Sequence, residues 1–220
     1  MEEISITAST RVLQRIANRP LPAAKRLEIV ISLDADDYLD TLGAANRIFE
    51  GTRAVSKLSL AIVYSPLPVT LEFIYRGLAR LELCTDVSVD MMLGIIRGLP
   101  SLVELEVSML SFGHASEDIS VPEPGADCTV GLLDAQLERL EIEAARDKLG
   151  QDMLPDLIKY MMLAVPGLKF IRSHRVPRRP IAEFVDAYSK WHPHLAEIKL
   201  ALSTFDSVAK PEPASIANLQ

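Results

Sequence analysis

The stretch LARLEL, residues 78–83, sets leucines at its first, fourth and sixth positions, and LVELEV, residues 102–107, does nearly the same 24 residues later. Side chains of a strand alternate between two faces, so Leu81 and Leu83 point one way while Arg80, Glu82 and Cys84 point the other. The pattern recurs along the chain. Strong copies are Leu78, Leu81, Leu83; Leu102, Leu105, Val107; Leu137, Leu140, Ile142; and Leu195, Ile198, Leu200. Weaker ones are Ala24, Leu27, Ile29; Val55, Leu58, Leu60; and Leu168, Ile171 with Ser173 in third place. Their first positions are 31, 23, 24, 35, 31 and 27 residues apart, irregular in loop length but consistent in kind.

The segments between these copies carry a different period. Val89, Met92, Leu93 and Ile96 fall at i, i+3, i+4 and i+7, the stripe of a helix with one buried face. Leu154, Leu157, Ile158 and Met161 repeat that stripe, as do Ile181, Phe184, Val185 and Tyr188. The three stripes begin 13, 14 and 14 residues before the next leucine. Punctuation agrees: Ser88 suits a helix N-cap, Pro180 suits a first turn, and Gly98 with Pro100 ends a helix.

Strand, helix, strand at 23 to 35 residues resembles the leucine-rich repeat, and the longer periods are similar to the ribonuclease-inhibitor-like and F-box-associated types common in fungi. The resemblance covers about residues 24–202. It implies an α/β fold: a solenoid bent into a horseshoe arc, with a parallel β-sheet on the concave side and helices on the convex side. Where family repeats carry Asn or Cys three residues after the third apolar position, this chain has Ser32, Val63, Asp86, Leu110 and Ala145, so looser turns are expected there. Each unit has an apolar face that only its neighbours can bury. Three segments are therefore expected: an N-terminal capping segment with a helix near residues 8–18, within 1–23; about seven repeats over 24–208; and a C-terminal tail over 209–220. The acidic Pro/Gly stretch 111–136 reads as an insertion in the fourth repeat.

Composition narrows the class. The chain has 220 residues, 49% hydrophobic and 24% charged, which is enough for a sizeable core. A formal net charge of −7 gives the whole surface no reason to seek nucleic acid or an anionic membrane. No apolar run is long enough to span a bilayer, and two cysteines are too few for a disulfide framework, so an intracellular, cytoplasmic or nuclear setting is expected. Gly-rich phosphate loops, nucleophile elbows, HExxH and CxxC motifs are absent from the sequence, so no enzyme and no cofactor is expected.

Candidate binding residues follow from the repeat frame. The outward positions are Arg26, Lys57, Arg80, Glu104, Arg139, Phe170 and Glu197; then Glu28, Ser59, Glu82, Glu106, Glu141, Arg172 and Lys199; then Val30, Ala61, Cys84, Ser108, Glu143, His174 and Ala201. Seven of these are acidic and six basic, which disfavours broad nucleic-acid binding by this face. Glu82, Glu106 and Glu141 fall side by side, and with Glu104 and Glu143 they offer an acidic surface to a basic partner segment. RSHRVPRRP, residues 172–180, gathers Arg172, His174, Arg175, Arg178 and Arg179, suited to an acidic or phosphorylated partner. His174, His192 and His194 lack a carboxylate or cysteine at ligand spacing, so no metal is expected, and Trp191 is expected to anchor a helix end in the core. The function expected is protein recognition through the sheet and strand-end loops. One concrete role, implied by the resemblance, is substrate recognition for a ubiquitin ligase. The alternative is regulation of an enzyme, as a hydrolase inhibitor or a GTPase activator with one of Arg175, Arg178 or Arg179 entering the nucleotide site. Self-association through an exposed terminal strand is a further expected route.

Overall fold

A computed structural model describes residues 3–18, 25–32, 55–66, 77–112, 135–144, 148–174 and 176–203, with isolated positions 44, 47, 48, 119, 121 and 133. Its centre is one eight-stranded, all-parallel sheet in sequential order: β1 Glu3–Ser9, β2 Arg26–Ser32, β3 Lys57–Pro66, β4 Arg80–Ser88, β5 Glu104–Ser111, β6 Arg139–Ala144, β7 Phe170–His174 and β8 Lys199–Ser203. Four α-helices lie among the described residues: α1 Thr10–Ala17, α2 Val89–Gly98, α3 Lys148–Ala164 and α4 Arg178–Tyr188. Parallel neighbours demand a crossover each time, and a strictly sequential order is what one repeated strand-and-crossover unit produces.

The leucine columns are the core. Leu27, Ile29, Leu58, Leu60, Leu81, Leu83, Leu105, Val107, Leu140 and Ile142 are all buried and stack in register from strand to strand. Helix residues Met92, Ile96, Leu157, Met161, Ile181 and Phe184 join the same cluster, so the helices cover that one face of the sheet. Alternation is complete in β4, where every second side chain from Leu81 to Val87 is buried and those between are half-buried. The weak third position, Ser173, is fully buried, and its hydroxyl donates to the Ile142 carbonyl at 2.8 Å, which satisfies a polar group where other units place an apolar one. Ser88 accepts from the Met91 amide at 3.2 Å, the cap that starts α2.

Units are also stitched at the strand entrances. The backbone amides of Ser56, Ala79, Val103, Glu138 and Lys169 each donate to the carbonyl of the equivalent residue one unit earlier, at 2.8–2.9 Å, and the Lys199 amide donates to the Lys169 carbonyl at 2.9 Å. Beyond the third apolar position the register shifts, between Ala61 and Pro66, Leu83 and Asp86, and Val107 and Leu110. These breaks fall where the sequence lacks the Asn or Cys of the repeat it resembles.

Three expectations need correction. The segment before residue 24 is more than a cap: α1 is there, but Glu3–Ser9 precedes it as a strand paired in parallel with β2, so the sheet has eight strands rather than seven. The short stretch alternates Ile4, Ile6 and Ala8, too small a signal to stand out without the paired strand. In the last unit a 3₁₀ turn, Pro193–Glu197, takes up Leu195 as its buried residue and delays the strand by two. Leu200 therefore sits opposite Ile171, Lys199 opposite Phe170, and Glu197 is not on the sheet. A slip of two preserves the face, which is why the apolar pattern disguised it. Trp191 is half exposed, at 50%, with Lys190 Nζ 5.5 Å from its ring centre, so it does not anchor the helix end. Most of 111–136, and all of 204–220, lie outside the described residues, as does the Ala24 position. No helix among the described residues is long and apolar enough to cross a membrane.

Candidate binding face

Opposite the helices, the other face of the sheet carries polar side chains that no described element covers. Strand register sets them in rows. The first row runs Glu3, Arg26, Lys57, Arg80, Glu104, Arg139, Phe170, Lys199; the second runs Ser5, Glu28, Ser59, Glu82, Glu106, Glu141, Arg172, Ala201. Glu82, Glu106 and Glu141 are thus adjacent, as the repeat frame requires. The first row is dominated by cations and the second by carboxylates, one pleat apart.

Two ion-pair triads organise the centre. Arg80 reaches Glu104 at 3.0 Å and Glu106 at 3.9 Å, an acid–base–acid set. Glu141 receives Arg139 Nε at 2.7 Å on one oxygen and Arg172 Nη1 at 3.1 Å on the other, a base–acid–base set. Phe170 packs beside the second triad, with the Arg139 guanidinium carbon 4.2 Å above its ring centre. Glu141, with a side chain only 14% exposed, is thereby fully matched inside the protein. Glu106 is not. Burial first, then the Glu82 and Glu141 carboxylates on either side, push its carboxyl above the ordinary carboxylate range, with Arg80 and Arg172 opposing.

Beyond the second row lies an open depression of about 60 Å³, lined by Glu106, Val107, Ser108, Glu141, Ile142, Glu143, Arg172 and His174. That is room for a few waters or one side-chain head group. Glu143 forms no ion pair among the described residues. On the same face Cys84 stands beside Ser108, its Sγ 3.7 Å from Ser108 Oγ and 3.7 Å from Glu82 Oε1. Burial raises the thiol above its ordinary value, the Ser108 hydrogen bond works against this, and Glu82 and Glu106 add to the rise. A nucleophile needs the opposite shift.

The described arginines of RSHRVPRRP, Arg172, Arg178 and Arg179, have separate partners. Arg172 belongs to the open face and is held by Glu141. Arg178 turns its Nε to the Leu202 carbonyl at 3.0 Å and ties α4 to β8. Arg179 is exposed and pairs with Glu183 at 2.7 Å along the helix. Arg175 lies outside the described residues. His174 lines the depression, while His192 and His194 face each other edge-on at 5.9 Å, and His194 Nε2 lies 3.2 Å from the Met162 carbonyl. Among the described residues no three His, Cys, Asp or Glu side chains are grouped to hold a metal.

The repeat frame gives the acidic row and, in Arg80 and Arg139 on the same strands, cations that offset part of its charge. Arg80 and Arg139 were visible as outward residues, but which carboxylate each satisfies depends on side-chain reach rather than on spacing. No protein-family model, no curated protein and no solved structure matches this chain.

Proposed function

We propose that the protein is an interaction module, a leucine-rich-repeat solenoid of the ribonuclease-inhibitor-like and F-box-associated kind, that recognises a protein partner through its open, concave sheet face and strand-end loops. The observation that carries this reading is the eight-stranded face that no described element covers, about 34 Å across at roughly 4.8 Å per strand, with charged side chains in register over a core that needs none of them. A rigid sheet of this kind presents side chains at fixed positions with little ordering cost on binding. Near-equal numbers of acids and bases on the face favour a protein over a nucleic acid. Substrate recognition for a ubiquitin ligase is the concrete role we assign, in the cytoplasm or nucleus, with no catalytic step of its own.

The test is affinity purification of the tagged protein from its native cell, beside the variant Glu106→Lys/Glu143→Lys. Both acids line the depression at the centre of the face, Glu143 with no ion pair among the described residues and Glu106 with one at 3.9 Å, and neither supports the core. A partner recovered with the native protein and lost with the variant supports the reading, and an unchanged partner spectrum refutes the face as the binding surface.

A further inference from the structure

We propose that the open face takes a two-signed segment of the partner, an acidic side chain settling over Lys57 and a basic one over Glu106. This rests on the binding role above and names the chemistry that fits it. Arg26, Lys57 and Arg80 are direct neighbours on β2, β3 and β4, and Glu82, Glu106 and Glu141 are direct neighbours on β4, β5 and β6, one row further along the strands. Like charges directly opposite on paired strands destabilise a sheet. Folding gains nothing from them on a solvent-facing row, where uncharged polar side chains would serve.

The members of each row are unevenly matched. Arg26 has Glu3 at 3.4 Å and Arg80 has Glu104 at 3.0 Å, whereas Lys57, between them, forms no ion pair among the described residues. Glu141 is held by two arginines and Glu82 forms no ion pair among the described residues, while Glu106, the middle carboxylate with a like charge on either side, meets Arg80 at 3.9 Å. Each like-charged row therefore keeps a weakly compensated centre, Lys57 in the cationic row and Glu106, between two carboxylates and with its counter-ion at 3.9 Å, in the anionic row. The two centres lie two strands and one pleat apart, about 10 Å across the sheet and about 7 Å along it, or about 12 Å in all. A helix advances about 10.5 Å in seven residues and returns them to one face, so an acid and a base seven apart reach both centres at once. An all-basic or all-acidic segment satisfies one centre and is repelled at the other, which makes the pairing a source of specificity.

The experiment measures fluorescence anisotropy of a labelled, otherwise neutral helical peptide carrying Glu and Arg seven residues apart, titrated with the whole chain at low salt. The same peptide with two Arg or two Glu serves as comparison. The two-signed peptide is expected to bind at least about fivefold more tightly than either. Lys57→Glu and Glu106→Lys each abolish that preference. The double variant restores it, because the helix can dock end for end, and thermal melting shows that all three variants remain folded. Equal binding of the two-Arg peptide, indifference to Lys57→Glu, or no binding by any peptide overturns the proposal. In the purification experiment, a partner lost with Glu106→Lys/Glu143→Lys but kept with Lys57→Glu leaves the binding face standing and refutes the two-signed segment. A partner kept with every variant refutes the face itself.

Discussion

Replacing Leu83 with alanine strikes the column on which the sheet depends. Leu83 is 0% exposed and sits in register between Leu60 on β3 and Val107 on β5. Three carbons are lost, about 2.4 kcal/mol at roughly 0.8 kcal/mol per buried carbon, and the residual cavity adds to this. A loss of about 3 to 4 kcal/mol is expected. The neighbouring Glu82→Ala, on the open face, is expected to change stability by no more than about 0.5 kcal/mol. Urea denaturation followed by circular dichroism measures both, and the thermal midpoint of Leu83→Ala should fall by roughly 6 to 15 °C. A loss below about 1 kcal/mol for Leu83→Ala, or equal losses at 82 and 83, refutes the alternation on which the fold and the binding face both rest.

Other outcomes follow from the same geometry. Glu106 has its folded-state carboxyl raised, so the native state binds the proton more tightly than the unfolded chain, and this site makes stability fall as pH rises from near 4.5 through the raised value. Glu106→Gln should therefore stabilise the protein at neutral pH, with the gain gone below pH 4.5, in denaturation curves taken across that range. Cys84 should alkylate more slowly than a free cysteine at pH 8, and Glu82→Gln should speed the reaction, as read by mass mapping of the peptide that contains it. Arg178→Ala should cost about 1 to 2 kcal/mol and raise hydrogen exchange in β8, since the arginine serves the Leu202 carbonyl.

Much of this architecture was legible because burial has a period. Leucines two apart on strands and three or four apart on helices report directly which side is covered, and the buried stripes Val89, Met92, Leu93, Ile96 and Leu154, Leu157, Ile158, Met161 fall where that rule puts them. Failures arose where period alone is silent. A two-residue slip leaves the same face inward, so Ile198 and Leu200 imitated the strand that Leu200 and Leu202 supply. The acidic row was legible for the same reason as the core, since fixing one face fixes the other. Pairing was only partly so: the repeat frame puts Arg172 next to Glu141 in the same row, but Arg178 is drawn to a backbone carbonyl that no motif announces.

Carboxylate footprinting of the protein, alone and with the partner recovered by purification, decides whether the partner sits on the open sheet face. Carbodiimide labelling of each acid is read by mass spectrometry. Binding across the open face should protect Glu82, Glu106 and Glu143 and leave Asp156 and Glu183, on α3 and α4, labelled as before. Protection of Asp156 and Glu183 with the three sheet carboxylates still reactive would place the partner on the helices and contradict the account.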